Sequence, residues 1–214
     1  MTRTVLCFGD SNTHGTLAMA DLDDGRRLAR DERWPGVLAS VLSPGWHVTE
    51  EGHPGRTTVH DDPIEGAWKN GIAVLPALLE SHAPLDLVVV KLGTNDLKAR
   101  FSVTAGDIAL SLGKIAQLIR ASQAGPGGGA PAILVVAPPP ILEVGTLAAM
   151  FAGGAAKSLG LADAIMAEAE RQGAAFFDAG SVIAVDPLDG IHYDAKTHLA
   201  LGHAIAAEIR RLWP

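Results

Sequence analysis

Five short apolar runs, rich in β-branched residues, recur along this chain, and the spaces between them are filled by segments of helical period. That alternation restricts the fold more than any other feature. The runs are Thr4–Phe8, Trp46–Glu50, Leu85–Leu92, Ala132–Ala137 and Ala174–Phe177; runs of this length and composition read as strands. Between them, Trp34–Val41 places apolar residues at Trp34, Val37, Leu38 and Val41, the spacing of one helix face. Ile72–Leu79, Ile108–Ile119 and Leu159–Ala169 follow the same pattern. A last helix begins after Asp194, a suitable N-cap, with Leu199, Ala204, Ile205, Ile209 and Leu212 expected along its apolar face. Strand and helix in strict alternation make βαβ units, hence a mainly parallel sheet covered on both faces. The expected architecture is a three-layer α/β/α sandwich with a five-stranded sheet in the order 2-1-3-4-5. Leu17–Asp31, which is charged, and Ile141–Ala156, which is Ala/Gly-rich, fit the alternation poorly and are expected to be surface excursions. Gln123–Pro131 reads as a loop, because a strand follows it at once.

A chain of 214 residues fits a single domain spanning 1–214. Hydrophobic residues at 48% and charged ones at 19% allow a sizeable core, so disorder is not expected. The formal net charge of -7 argues against a nucleic-acid partner, which requires clustered Lys and Arg. No apolar run approaches the ~20 residues that span a bilayer. The N-terminal "MTRTVLCFGD" is too short in apolar residues for a secretory core, so no membrane partner and a cytoplasmic location are expected. Cys7 is the only cysteine, which excludes an internal disulfide and paired-cysteine zinc sites. Among the eight histidines, His198 and His203 are five apart and no H-E-x-x-H occurs, so no metal is expected.

In open parallel sheets ligands gather beyond the carboxyl ends of the strands. After the first strand comes "GDSN", Gly9 to Asn12; after the second "EGHPGRTT", with Gly52 and Gly55; after the third "GTND", Gly93 to Asp96. Three prolines, Pro138–Pro140, follow the fourth, and Asp178 and then "DPLDGIHYD" follow the fifth. Ser11 has three readings: a helix cap, part of a phosphate loop, or a nucleophile. A Walker loop fails, since Gly9 and Gly15 enclose five residues and no Lys-Ser/Thr follows; G-x-G-x-x-G is absent. As a nucleophile Ser11 needs a base, an orienting carboxylate and oxyanion donors. Asp189 and His192 lie close enough in sequence for one tight loop to bring the carboxylate to His192 Nδ1, leaving Nε2 to face Ser11. Asp96 is the rival orienting acid; otherwise Asp10, Asp96 and Asp178 are expected to bond loop amides. The G-x-S-x-G elbow is missing, so this is a different serine hydrolase design. Cys7 is expected in the core, and His14, His53 and His60 are expected to be exposed loop residues.

The blocks "FGDSNTHG", "EEGHPGRTT", "LGTND" and "DGIH", in that order, resemble the SGNH, or GDSL-like, hydrolase family and cover the chain from residue 8 to 192. "LCFGDS", "APLDLV" and "FFDAGSV" look like its arylesterase and acyltransferase branch. The resemblance implies a flavodoxin-like SGNH hydrolase fold and a serine esterase of small, acetyl-type esters acting through an acyl-enzyme without cofactor. It implies acyl transfer to alcohols or peroxide as well, a small-molecule ester as partner, and assembly into a homo-oligomer, an octamer in that branch. Carried over by position, Ser11 is the nucleophile, His192 the general base and acid, and Asp189 the orienting carboxylate. The oxyanion hole is then the N–H of Ser11, the N–H of Gly55 and the side-chain amide of Asn95. Asn12, His14 and Thr16 stand where the branch has bulky apolar residues, and "ILEVGTLAAMF" lacks its proline- and aromatic-rich stretch. These departures predict a more polar or more open pocket mouth, and they motivate an O-acetylated carbohydrate as the alternative substrate.

Overall fold

The apolar runs pair side by side as five parallel strands, β1 (Arg3–Gly9), β2 (Trp46–Gly52), β3 (Leu87–Lys91), β4 (Ala132–Ala137) and β5 (Ala175–Asp178). Their order is β2-β1-β3-β4-β5 in this computed structural model, which describes residues 2–214. The register sets Val5 beside Val48 of β2 and Leu87 of β3. Successive side chains of a strand point to opposite faces, and here both faces are apolar. Leu6, Phe8, Val88, Val90, Ile133 and Val135 enter one core; Val5, Cys7, Leu87, Val89, Leu134 and Val136 enter the other.

Seven α-helices accompany the sheet among the described residues: α1 (Ser11–His14), α2 (Trp34–Leu42), α3 (Gly71–His82), α4 (Ala105–Ala121), α5 (Gly154–Ser158), α6 (Leu161–Arg171) and α7 (Ala195–Leu212). Leu75 and Leu79 of α3, Ile108 and Ile115 of α4, and Ile165 of α6 cover the first face. Trp34 and Leu38 of α2 and Leu201, Ile205 and Ile209 of α7 cover the second, completing the three layers. Thr104 and Asp107 open α4 with a reciprocal capping box, each side chain accepting the other's backbone N–H. Asp194 caps α7 as expected, accepting the Thr197 N–H at 2.7 Å. The apolar stripe of α7 differs from expectation: Leu199 is 48% exposed and Leu201 is buried in its place. The buried series steps by four, Leu201, Ile205, Ile209, and Leu199 lies two residues off it, on the far side of a 3.6-residue turn. No helix of the described residues is long and apolar enough to cross a membrane.

His198, in the first turn of α7, is fully buried; its Nδ1 accepts the Trp34 N–H at 3.2 Å and its Nε2 has no partner among the described residues. Burial, with the nearby Lys91 cation, pushes its pKa down to about 3. In the unfolded chain it would titrate near the ordinary value of about 6.5. Between these values the unfolded state binds the extra proton, so this residue lowers stability as pH falls from about 6.5 and stops doing so below about 3. The expected slope is roughly 1.4 kcal/mol per pH unit. Urea unfolding of His198→Asn, which keeps an acceptor but does not titrate, should lose that slope relative to wild type. An unchanged slope would contradict the assignment.

Candidate active site

The chain turns sharply at the carboxyl end of β1. Asp10 there accepts the Asn12 N–H at 2.9 Å and is the cap of α1, so Ser11 is the first helical residue and not the cap. That frees the Ser11 hydroxyl for other contacts. Asn12 is turned underneath, its Nδ2 donating to the Ile191 carbonyl at 3.0 Å, which ties the serine turn to the histidine loop.

That loop folds on itself: Asp186 N–H donates to the His192 carbonyl at 2.8 Å, and Gly190 N–H to the Asp186 carbonyl at 2.9 Å. Gly190 has φ 75° and a Cβ there would lie 2.2 Å from the Leu142 carbonyl oxygen, so both backbone shape and space call for glycine. The result sets His192 Nδ1 2.6 Å from Asp189 Oδ2 and His192 Nε2 3.1 Å from Ser11 Oγ. With the carboxylate as acceptor, Nδ1 carries the proton and Nε2 presents its lone pair to the serine hydroxyl. Asp189 also accepts the N–H groups of Ile191, His192 and Met19 at 2.9, 3.0 and 2.8 Å. Burial alone would raise its carboxyl, but the hydrogen bond and charge of His192 and the backbone donors overcome this and hold it below the usual carboxylate range. The Met19 contact comes from the 17–31 excursion, and as a backbone donor it carries no signal in residue identity.

Gly55 and Asn95 reach the same place from β2 and β3. Gly55 N–H has no acceptor among the described residues. The N–H of Ser11, at the first position of a helical turn, lacks an intrahelical one. Asn95 Nδ2 donates one hydrogen to the Arg56 carbonyl at 3.1 Å, leaving the second for the cavity that Asn95 lines. Buried ties fix these loops to one another. Arg56 donates to the carbonyls of Gly9 and Glu51 and lies over the Phe8 ring; burial pushes its pKa down to about 10, which leaves it charged at neutral pH. Asp96 accepts both the N–H and the hydroxyl of Thr58, and burial pushes its carboxyl up. Asp96 thus bonds loop groups as expected, and Asp189 is the acid on His192. Asp178 accepts the Gly180 N–H. Below the site, fully buried Lys91 donates to the Tyr193 hydroxyl at 2.9 Å, a pair that the apolar reading of the third strand did not single out.

Ser11, Gly55, Asn95 and His192 open into a cavity of about 250 Å³. Its walls are largely apolar: Met19 and Leu22 from the first excursion, Leu147, Met150 and Phe151 from the second, and Ile191. The residues behind the expected polar or more open mouth are placed differently from one another. Of Asn12, His14 and Thr16 only Thr16 faces the cavity; Asn12 is buried beneath it and His14 Nδ1 pairs with Thr16 Oγ1 at 3.1 Å. His14, His53 and His60 are half-buried and not exposed, with His60 stacked on Phe101 at 5.4 Å. Cys7 is in the core as expected. Beside Thr16 the polar wall is Glu65 with Lys98, two residues that reading the motifs missed.

Residues 7–204 match the GDSL-like lipase/acylhydrolase family. The chain is similar in structure to the aryl esterase of M. smegmatis, with TM-score 0.94 and 42% identity over 99% of this chain and 100% of that one. It is equally similar to a carbohydrate acetylesterase of Sinorhizobium meliloti, with TM-score 0.95 and 42% identity over 99% and 100% of the two chains. None of the curated protein sequences matches.

Proposed function

This chain belongs to the GDSL-like lipase/acylhydrolase family, and from that premise we propose that it is a serine esterase removing small acyl groups through an acyl-enzyme. The observation that carries the reading is His192 bridging Ser11 Oγ and Asp189, at 3.1 and 2.6 Å, beside N–H donors with no partner among the described residues. Ser11 Oγ attacks the ester carbonyl carbon as its proton passes to His192 Nε2. The carbonyl oxygen takes up the negative charge and receives hydrogen bonds from the N–H of Ser11 and Gly55 and from Asn95 Nδ2. The C–O bond to the alcohol breaks as His192 returns the proton to the leaving oxygen. Asp189 keeps the Nδ1 proton in place and stabilises the imidazolium formed in between. Water, or a second alcohol, then attacks the acyl-enzyme by the same steps reversed.

The cavity of about 250 Å³ lies below the ~300–1,000 Å³ of pockets for drug-sized ligands, which favours a short acyl chain. Its apolar walls favour an alcohol over water as acceptor, which supports acyl transfer beside hydrolysis. The likeness to the M. smegmatis aryl esterase supports aryl esters as substrates; that to the S. meliloti acetylesterase supports O-acetylated carbohydrates as the second reading. The test is turnover of p-nitrophenyl acetate with increasing alcohol. Nitrophenol release should exceed acetic acid release, the difference appearing as the new ester. Equal release at every alcohol concentration would overturn the transfer, and no turnover by folded protein would overturn the esterase.

A further inference from the structure

From the charged wall of this cavity we infer that Glu65 and Lys98 form a hydroxyl-reading subsite, selecting leaving alcohols that carry a free hydroxyl near the ester oxygen. The inference rests on the esterase reading above and adds residues that decide which ester is preferred.

Lys98 is almost wholly buried, with its side chain 3% exposed, yet it lines the cavity, and its Nζ donates to Glu65 Oε1 at 2.5 Å. An ammonium group has three N–H donors. The next acceptor, Asp62 Oδ2, is 3.6 Å away, beyond a hydrogen bond, and Asp62 is already occupied by Arg100 and by the N–H groups of Ile64 and Glu65. Lys98 therefore retains donor capacity. Glu65 complements it. Oε1 takes the Lys98 bond, while Oε2 has no hydrogen bond among the described residues and stands over Gly55, where a Cβ would approach it to 2.5 Å. An unused carboxylate oxygen thus lies beside one oxyanion donor, next to an ammonium with spare N–H groups.

A neutral group that both donates and accepts, a hydroxyl, satisfies this pair. A carboxylate on the substrate would meet the free Glu65 oxygen, and a cation would meet Lys98. The acyl half is an unsuitable source of the hydroxyl, since an acetyl group fills only part of the cavity near Ser11 and leaves the charged wall to the alcohol. Apart from Thr16 and the catalytic groups the rest of the wall is apolar, so an alcohol without a hydroxyl leaves two charged groups facing a dry contact. Sites built to bond a hydroxyl discriminate strongly against analogues that lack it.

The experiment compares a methyl xyloside bearing one O-acetyl group and free neighbouring hydroxyls with the same acetate whose other hydroxyls are O-methylated. Acetylcholine and p-nitrophenyl acetate are further substrates. Wild type should favour the free-hydroxyl sugar in kcat/KM by roughly 10- to 100-fold, the range for one hydrogen bond to a charged group. In Glu65→Ala that ratio should fall toward one, and in Glu65→Gln to an intermediate value, with the melting temperature recording whether each variant folds. A purely structural ion pair would lower both rates together and leave the ratio intact, which would overturn the inference. So would no preference in wild type, no turnover of either sugar while p-nitrophenyl acetate is cleaved, or preference for acetylcholine. If no ester at all is turned over, the esterase reading itself fails and takes the subsite with it.

Discussion

Ser11→Ala should lose turnover of p-nitrophenyl acetate by roughly a millionfold in kcat, the scale on which removing a triad nucleophile has its effect. Stability should hardly change. The Ser11 side chain makes one hydrogen bond, to His192 Nε2 at 3.1 Å, and alanine keeps the Cβ that packs under the turn. The lost bond costs about 1 kcal/mol at most. A melting temperature close to wild type with activity gone would assign the loss to chemistry. Retained activity would remove Ser11 from the mechanism, and the proposed function would have to be rebuilt around another group.

Asp189→Asn is expected to lower kcat by roughly 10⁴, since an asparagine amide favours the wrong imidazole tautomer. Here the substitution reaches further than the imidazole. Asp189 accepts three backbone N–H groups as well as His192 Nδ1, among them Met19 N–H from the excursion that walls the cavity. His192 Nδ1 and Met19 N–H share Oδ2 while the N–H groups of Ile191 and His192 share Oδ1, so an asparagine that keeps its oxygen on the two loop amides loses His192 Nδ1 and the 17–31 anchor together. KM should therefore rise along with the fall in kcat, unlike the pattern for Ser11→Ala. The carboxyl is held below its ordinary value in the fold. It therefore stabilises the protein above the unfolded value of about 3.9, and that stability is lost as pH falls through the lower folded value. Asp189→Asn should remove this acid-side loss in a urea titration. A variant with wild-type kcat would shift the orienting role to another acid, and none other bonds His192 among the described residues.

Why the strands were readable and parts of the site were not has a physical basis. β1, β3 and β4 feed two cores at once, so Val5–Phe8, Leu87–Val90 and Ala132–Ala137 are apolar without interruption and the runs stand out against the flanking turns. Ser11, Gly55, Asn95 and His192 were findable because parallel topology sends every strand's carboxyl end to one edge, and they line one cavity there. The turn at Ser11 was not legible as a helix, because four residues carry no periodicity. Asn12 and His14 were misplaced at the mouth because polarity next to a nucleophile looks like lining; the Asn12 bond to Ile191 is a contact across 179 positions. Glu65 and Lys98 belong to none of the strand-end motifs and lie 33 positions apart, so nothing in the sequence joins them. The two excursions were recognisable as departures from the alternation, but only their packing shows that Met19, Leu147, Met150 and Phe151 build the walls of the site.

The central claim, that Ser11 is a nucleophile driven by His192, is tested most directly by covalent capture. Wild type is treated with a fluorophosphonate and the modified peptide is located by mass spectrometry. One adduct per chain on Ser11 is expected, absent in Ser11→Ala and formed far more slowly in Asp189→Asn. A folded wild-type protein that takes no label, or takes it at another residue, would contradict the account.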